Sequence, residues 1–455
     1  MRFEDTVAAL STPYGRGAIA MIRMTGADAV RIASSVFRPK NGKDLGEALS
    51  AHAVYGEFLY GGDVIDDGIV TLYRAPKSYT GEDMAELCCH GGMLVSSLVL
   101  RSLIDAGAAY AEGGEFTKRA FINGKLRLTS AEAIMDIIDA ESVGALKLAG
   151  GAGRGLLSAE AERIYNELKH LIASSYAYID YPDEDMTDVG VPEMKERIKA
   201  LISCASELKD SYKTGYAVCG GVNTVICGRP NVGKSSLLNL LTGEQTAIVT
   251  EIPGTTRDVV TGSVLCGQVR LKLSDTAGIR ETDDAVEEIG VAKAKETLSK
   301  AQLVIAVFDG SKMPDAEEKK LISELKALDV PVIAAVNKSD LGGTKAYDGI
   351  FENTVHISAK TGEGKEKIEK LASDLFTGGK IDYGKPHIIN ERQYAQICRF
   401  IDSCESAYGA LESGQTQDVA CLDLEDALSA VAGLDGLEIK DDIVNEIFGK
   451  FCVGK

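Results

Sequence analysis

A glycine-rich segment near the middle of the chain has the spacing of a phosphate-binding loop. Residues 228–236 read GRPNVGKSS, a glycine, four residues and then Gly-Lys-Ser, between a strand-like run and a helical pattern. Glycines let backbone N–H groups face phosphate oxygens, where a side chain would obstruct the approach. We expect Lys234 to reach the β- and γ-phosphates of a nucleotide and Ser235 to bind Mg²⁺. The predicted phosphate contacts of this loop are Asn231, Val232, Gly233, Lys234, Ser235 and Ser236.

Further motifs follow this loop in the order expected of a GTPase. Thr255-Thr256, DTAG at 275–278, NKSD at 337–340 and SAK at 358–360 are all present. Thr256 can reach Mg²⁺ and the γ-phosphate, which predicts a loop that orders with GTP and relaxes after hydrolysis. Asp275 can hold Mg²⁺ through water, and the Gly278 amide can contact the γ-phosphate.

The NKSD motif indicates which base the site selects. The Asp340 carboxylate has two acceptor oxygens that suit the N1 and exocyclic N–H donors of guanine. Adenine does not offer this pair of donors, so the motif favours GTP over ATP.

The residue that follows DTAG departs from the Ras-like pattern. Ile279 stands where Ras-like enzymes carry a glutamine that positions the attacking water. A hydrocarbon side chain cannot orient water, so hydrolysis needs a polar group from elsewhere. The acidic stretch RETDDAVEEIG at 280–290 is the nearest source, although such a charge run is also typical of a solvated face. No arginine finger is evident, so the site also needs positive charge, which a monovalent cation can supply.

Composition limits the function classes that remain. The chain has 455 residues, of which 45% are hydrophobic and 26% charged, as in a soluble globular protein of two or three domains. Ten cysteines lack C-x-x-C spacing and five histidines are dispersed, which argues against disulfides, zinc and a Ser/His/Asp triad. The formal net charge of −19 argues against a broad nucleic-acid-binding face. Neither a bilayer-length apolar run nor a cleavable signal is present, so we expect a cytoplasmic protein without membrane association.

The pattern of apolar residues changes along the chain and predicts several domains. Short apolar runs and glycine-rich turns predict an α+β domain first. A helical region follows, with Thr129 and Glu132 as a capping box near its start and a break at YPDED. Alternating strand-like and helical runs then predict an α/β domain inserted into the helical one. The predicted segments are 1–120 (α+β), 121–215 (helical), 216–380 (α/β) and 381–455 (helical).

Segments over essentially the whole chain resemble the MnmE family of tRNA-modification GTPases. They are TPYGRGAIAMIR, SYTGEDMAELCCHGG, GEFTKRAFINGKLRLTSAEA, YPDED, DTAGIRETDDAVEEIG and FCVGK. The resemblance separates the chain from Era-type GTPases, whose KH module is not found, and from membrane iron transporters. It implies a multidomain fold: an α+β N-terminal domain that binds folate and dimerises, an all-α helical domain and an inserted Ras-like G domain.

The resemblance also implies roles within the nucleotide site. Glu287 would organise the attacking water through a bridging molecule, and Arg280 would support it. The implied K⁺ ligands are the Asn231 side chain, the Thr250 and Ile252 carbonyls and Thr255, although Asn231 bracing the loop is the alternative. The remaining GTP contacts implied by the resemblance are Glu251, Pro253, Gly254, Thr276, Ala277, Asn337, Lys338, Ser358, Ala359 and Lys360.

A folate site is implied at the family's positions matching Arg23, Glu86, Lys125 and Lys455. A carboxylate can bind the paired donors of a pterin, and Arg or Lys suits a glutamyl tail. Surface ion pairs are the alternative for all four. The FCVGK segment matches the family's C-terminal Cys-x-Gly-Lys motif, which implies a chemical role for Cys452 as nucleophile or acid, whereas packing is the usual role of a buried cysteine.

The resemblance implies a homodimer that forms a heterotetramer with the flavoprotein MnmG. Together they would add an aminomethyl-type group to carbon 5 of the wobble uridine of certain tRNAs, with 5-formyl- or 5,10-methylene-tetrahydrofolate as the one-carbon donor. The implied GTPase is stimulated by K⁺ and activated by dimerisation. A purely regulatory switch, with no group that touches carbon chemistry, is the alternative; a folate enzyme with a vestigial G domain fits the intact nucleotide motifs less well.

Overall fold

The computed structural model describes residues 5–180, 190–243, 262–275, 300–342, 345–437 and 441–455. The chain divides into two compact units. The first comprises Met1–Met135, Ala161–Tyr165 and Leu428–Lys455, and the second comprises Asp136–Glu160 and Asn166–Ala427. None of the helices in the described ranges has the length and apolarity needed to cross a membrane.

Helices occupy much of the described chain. Their bounds are α1 Ala29–Val36, α2 Met93–Asp105, α3 Glu115–Ile122, α4 Leu128–Ile138, α5 Val143–Gly153, α6 Leu156–Asp180, α7 Val191–Cys219, α8 Lys234–Thr242, α9 Ala316–Lys326, α10 Lys365–Thr377, α11 Glu391–Glu412, α12 Gln417–Asp435 and α13 Asp441–Phe448. Several begin with a side-chain cap, as where Asn390 accepts from the Gln393 backbone N–H and Asp315 from that of Glu318.

The first unit contains a seven-stranded sheet. Its strands are β1 Val7–Leu10, β2 Ile19–Thr25, β3 Phe37–Pro39, β4 Ala53–Tyr60, β5 Asp63–Tyr73, β6 Met84–His90 and β7 Ala109–Tyr110. Their order is β3-β4-β5-β6-β2-β1-β7, and every pair is antiparallel except β1 with β7. In β2 the residues Ala20, Ile22 and Met24 are buried, so the intervening Arg23 lies on the opposite face.

Each face of this sheet is covered differently. On one face, α1 and α2 pack over a core that includes Ile22, Ile32 and Val99. On the other face, Val7, Ala9, Met84, Ala111 and Phe116 form a smaller cluster. The sheet therefore has a fully packed face and a face with a smaller apolar cluster, on which Arg23 lies.

A third apolar cluster anchors the C-terminal segment within the first unit. Leu128 and Ala131 from α4 pack against Val444 and Phe448 from α13 and against Phe451. The predicted capping residue Thr129 lies one position inside α4, and its Oγ1 donates to Asp435 Oδ1 at 2.9 Å. A capping residue precedes its helix, so the predicted capping box with Thr129 as N-cap is wrong: α4 begins at Leu128, and the Thr129 hydroxyl reaches Asp435 of α12. The YPDED segment lies outside the described residues.

The second unit contains a six-stranded sheet. Its strands are β8 Val222–Cys227, β9 Gly262–Cys266, β10 Val269–Asp275, β11 Leu303–Asp309, β12 Val332–Asn337 and β13 Asn353–His356. The order is β13-β12-β11-β8-β10-β9, parallel throughout except for the antiparallel pair of β9 with β10. All residues of β11 and β12 are buried, which explains their continuous apolar sequence.

The carboxyl ends of the parallel strands meet at one edge of this sheet. β8 ends at Cys227 directly before the phosphate-loop motif, and Asp309 at the end of β11 lies beside Asn337 at the end of β12. Ligands of open α/β sheets bind outside such an edge. The strand order therefore brings the phosphate loop and the NKSD motif together.

Candidate functional site

The phosphate loop connects β8 to α8 and adopts the backbone conformation that its glycines permit. Gly233 has φ +100°, and a Cβ there would lie 2.2 Å from Asn337 Nδ2. Asn231 also has a positive φ, +60°, which asparagine tolerates better than most residues. The Lys234 ammonium donates to the carbonyls of Gly228 at 2.8 Å and Arg229 at 2.9 Å. The Lys234 side chain therefore folds back over the phosphate loop and bonds to its first two carbonyls.

Ser235 and Ser236 are exposed in the first turn of α8. An exposed hydroxyl at this helix start is accessible to a hydrated Mg²⁺, and the N-terminus of α8 favours the phosphates that the ion would accompany. The residues present therefore fit the predicted magnesium role of Ser235.

The base-site motifs are connected by side-chain hydrogen bonds. Asn337 is buried, and its amide donates to the Val232 carbonyl at 2.8 Å while accepting from the Ala359 N–H at 2.9 Å. The fully buried Ser358 donates to Asp340 Oδ1 at 2.7 Å. Asn337 thus ties the phosphate loop to the SAK segment, and Ser358 orients the carboxylate predicted to recognise guanine. We refer to residues 228–236, 337–340 and 358–360 as the nucleotide site.

Part of the predicted nucleotide site lies outside the described residues. Asp275 ends β10, paired in register with Ile226 of β8. The residues that lie outside the described ranges are Thr250, Glu251, Ile252, Pro253, Gly254, Thr255, Thr256, Thr276, Ala277, Gly278, Ile279, Arg280 and Glu287.

In the first unit, Arg23 and Glu86 form an ion pair. They are register partners on β2 and β6, and Arg23 Nη2 lies 2.8 Å from Glu86 Oε1. The Tyr73 hydroxyl donates to Glu86 Oε2 at 3.1 Å, while the Arg23 guanidinium lies 5.6 Å from the centre of the Tyr79 ring. Burial raises the pKa of both tyrosines, and the charge of Glu86 adds to the rise at Tyr73. Both phenols therefore stay protonated at neutral pH.

The C-terminal segment lies against this pair. The Gly454 carbonyl accepts from Ser11 Oγ at 3.0 Å and from Arg23 Nη1 at 3.4 Å. The Lys455 carbonyl accepts from the Phe116 N–H at 3.1 Å, and the Cys452 carbonyl from the Gly114 N–H at 3.3 Å. We refer to Arg23, Glu86 and residues 452–455 as the tail site.

Gly454 lies close against the first strand of the sheet. Its φ is +89°, and a Cβ there would lie 2.7 Å from the Leu10 carbonyl oxygen. Only glycine fits both the backbone conformation and the space, which explains the glycine of the Cys-x-Gly-Lys motif. All ten cysteines lie in the described residues, and Cys452 is the exposed one among them. Its thiol is accessible to a reagent or substrate.

Lys125, the fourth predicted folate residue, has its described contacts elsewhere. Its Nζ donates to the Pro76 carbonyl at 3.0 Å, and its side chain packs beside Gly81. Tyr79 belongs to the same loop and lies against Arg23, so the loop of residues 76–81 separates the two basic side chains. The structure brings Arg23 and Glu86 together beside the Gly454 carbonyl, with Lys455 the next residue along the chain, and it connects Lys125 to Arg23 through this loop.

Several residues that contact the predicted site residues or their neighbours were not predicted from the sequence. Arg119 is 1% exposed and pairs with Glu82 at 3.1 Å and Glu115 at 2.6 Å. Glu82 also accepts from the Thr25 hydroxyl at 2.9 Å. The i,i+4 spacing of Glu115 and Arg119 is the only sequence signal for this network. Ser11, Tyr73 and Asp309 carry no motif signal.

Two family models match the chain. The one described as GTP-binding protein TrmE N-terminus matches residues 6–125, and the one described as MnmE helical domain matches residues 128–452.

Curated relatives align over nearly its whole length. Proteins named tRNA modification GTPase MnmE from Carboxydothermus hydrogenoformans, Symbiobacterium thermophilum and Desulfitobacterium hafniense are 38%, 39% and 36% identical to it, each over 99% of this chain and 100% of the relative. The chain belongs to the tRNA modification GTPase MnmE family. Among solved structures, Era from Aquifex aeolicus bound to GDP.AlF4- is 26% identical over 40% of this chain and 66% of its own, with a TM-score of 0.29.

Family membership confirms two of the predictions made from the sequence. The predicted enzyme class, a GTPase of tRNA modification, is the class that the relatives' name gives. The predicted fold class is confirmed by the two family models and by the two mixed sheets with their helices. The domain boundaries and the individual site residues remain predictions.

Proposed function

We propose that the chain is a K⁺-stimulated, dimerisation-activated GTPase that acts with the flavoprotein MnmG on the wobble uridine of certain tRNAs. The reaction forms a 5-carboxymethylaminomethyl or aminomethyl group and takes its one-carbon unit from a tetrahydrofolate derivative. The protein works in the cytoplasm as a homodimer within a heterotetramer with MnmG.

One observation carries the GTP assignment. Asn337 bonds both the Val232 carbonyl and the Ala359 N–H, and Ser358 holds Asp340 at 2.7 Å. A pocket with this preformed carboxylate presents paired acceptors to guanine without reorganisation on binding. Lys234, already beside the loop carbonyls, needs only to turn toward the phosphates.

The potassium assignment is supported by the conformation of Asn231. This residue is exposed on the phosphate loop with φ +60°, so its side-chain amide is accessible to an ion beside the phosphates. Oxygen donors suit K⁺, and the charge supports phosphoryl transfer in a site that has no evident arginine finger. Thr250, Ile252 and Thr255 complete the proposed ligand set, and Glu287 is the proposed organiser of water.

The folate assignment is supported by the tail site. Glu86 carries a carboxylate suited to the paired donors of a pterin, and Arg23 and Lys455 carry the positive charges that suit a glutamyl tail. Cys452 is exposed in the same segment, and we propose that its thiol acts on a ligand bound there. Lys125 is proposed to contribute from the loop of residues 76–81.

The net charge of −19 supports the proposal that the partner makes most of the tRNA contact. Phosphate neutralisation needs clustered Lys and Arg, and this chain carries 49 of them against 68 acidic residues. MnmG is therefore proposed to supply most of the basic surface.

Reconstitution tests the proposal as a whole. The purified chain, MnmG, substrate tRNA, GTP, methylene-tetrahydrofolate, NADH and either glycine or ammonium as the nitrogen donor are combined in K⁺ buffer, and the modified uridine is quantified by mass spectrometry. Modification is expected only in the complete mixture. Equal modification without GTP or without the folate would overturn the corresponding part of the proposal.

A further inference from the structure

A buried carboxylate outside the GTPase motifs lies beside the NKSD segment. Asp309 ends β11, its register partner on β12 is Asn337, and it is 7% exposed. Its Oδ2 lies 2.7 Å from Lys338 Nζ. Its Oδ1 accepts from the Ser311 N–H at 3.0 Å and from the Ser311 hydroxyl at 2.6 Å. Both oxygens are therefore engaged, one by the NKSD lysine and the other by the turn that follows β11.

The same turn also holds the backbone of NKSD. The Gly310 N–H donates to the Asn337 carbonyl at 2.8 Å. Lys338 itself has φ +69°, a left-handed conformation that is strained for a non-glycine residue. Such strain persists where the surroundings over-determine the conformation. Here one bond fixes the peptide before Lys338, and the carboxylate of Asp309 fixes its side chain.

The pairing keeps Asp309 charged. Burial acts to raise the pKa of this carboxyl, but the hydrogen bonds from Lys338 and Ser311 outweigh it, so the pKa lies below its ordinary value. The carboxylate is thus ionised at neutral pH. A buried carboxylate without a partner would destabilise the fold. The Lys338 ammonium is therefore held at the position that Asp309 fixes.

We propose that Asp309 is a positioning residue of the nucleotide site, which anchors the Lys338 ammonium and thereby sets the placement of the Lys338 stem and of Asp340 against guanine. The Ser358 hydroxyl donates to Asp340 Oδ1 at 2.7 Å and so fixes the other end of the motif. The inference rests on the proposed guanine-nucleotide function and adds a residue that none of the GTPase motifs contains. Because Asp309 acts on the base and not on the phosphates, it affects nucleotide affinity rather than the chemical step.

The test compares mant-GDP binding by the full chain and its Asp309→Asn variant. Asparagine keeps an acceptor for Ser311 but removes the charge that holds Lys338. The loss of one charged hydrogen bond predicts binding weaker by about 10- to 100-fold. Single-turnover hydrolysis at saturating GTP is expected to stay within about twofold, because affinity and not the chemical step is affected. The matched control is Asp348→Asn, which removes an exposed partner of His356 on the same sheet unit and should leave affinity unchanged.

A double-mutant cycle separates positioning from mere support of the fold. If Asp309 acts through Lys338, then Asp309→Asn changes mant-GDP affinity by less than about twofold in a Lys338→Met background. An equal loss in both backgrounds would overturn the proposal. Asp309→Glu, which keeps the charge at a shifted position, supplies a second variant if the asparagine form unfolds, and its smaller loss should vanish in the Lys338→Met background as well.

The two proposals fail in different ways. A wild-type chain that does not bind mant-GDP contradicts the proposed function. A wild-type chain that binds it, with Asp309→Asn binding equally well, contradicts only the role of Asp309.

Discussion

The nucleotide site and the tail site are built in contrasting ways. The nucleotide site uses contiguous motifs at the ends of parallel strands, where the backbone itself presents the ligand-binding groups. The tail site joins residues that are more than 400 positions apart, as in the bond from Ser11 to Gly454. Its geometry depends on one segment docking across a sheet. A site built from consecutive residues can be recognised from a sequence motif. A site formed when a distant segment docks on a sheet can be recognised only from the tertiary structure.

The strongest test of this separation is Lys234→Ala. The variant removes the ammonium at the phosphate loop, and loss of one preorganised charge predicts a fall in GTP hydrolysis of about 10³-fold. Binding of tetrahydrofolate should be unchanged. Single-turnover kinetics and isothermal titration calorimetry measure the two, with Lys312→Ala as an exposed lysine control. A parallel loss of folate binding would contradict independent construction of the two sites.

Cys452→Ser tests the chemistry of the tail site. Serine is nearly isosteric but a weaker nucleophile and acid, so wobble modification should fall by about 10²-fold while GTP hydrolysis is retained. Mass spectrometry of the tRNA and a phosphate-release assay give the two rates. Unchanged modification would favour the regulatory alternative, in which the chain contributes only GTP-driven movement.

Glu86→Gln tests whether the carboxylate of the Arg23–Glu86 ion pair binds folate. The variant leaves the Arg23 guanidinium without its carboxylate and removes the charged acceptor proposed for the pterin. Folate affinity should weaken by about tenfold or more, with GDP affinity unchanged. The matched control is Glu57→Gln, whose carboxylate has a similar exposure and pairs with Arg38 and Lys40 on the same sheet. Equal effects of both variants would indicate that only sheet stability is being measured.

Gly454→Ala is expected to have the smallest effect. Its Cβ would lie 2.7 Å from the Leu10 carbonyl oxygen at φ +89°, so the tail must shift. A strain of about 1 kcal/mol predicts folate binding weaker by about fivefold. Gly414→Ala is the control, since its φ is +79° but a Cβ there meets nothing within 4 Å. Titration calorimetry with both variants shows whether contact with the sheet, beyond backbone strain, sets affinity.

More of the nucleotide site than of the tail site could be predicted from the sequence, for a physical reason. The spacing of GRPNVGKSS and NKSD carries the chemistry in consecutive residues, so Lys234 and Asp340 could be named without a fold. Asp309 could not be named, because its contact with Lys338 depends on the register of β11 against β12.

The tail site shows the same limit more strongly. Arg23 and Glu86 were named through the family resemblance, whereas their pairing follows from the register of β2 with β6. Ser11 and Tyr73 contact this site through tertiary structure, so no sequence pattern indicates them. Thr129 was placed near a helix start, but its bond to Asp435 crosses 306 positions, which no local pattern reports.

Single-turnover GTP hydrolysis in K⁺ and in Na⁺ at equal ionic strength, with light scattering to follow association, tests activation by a cation-dependent dimer. Hydrolysis is expected to be much faster in K⁺ and accompanied by association, and Asn231→Ala is expected to abolish the difference. Equal rates in both salts would contradict a cation site at Asn231 and with it activation by dimerisation.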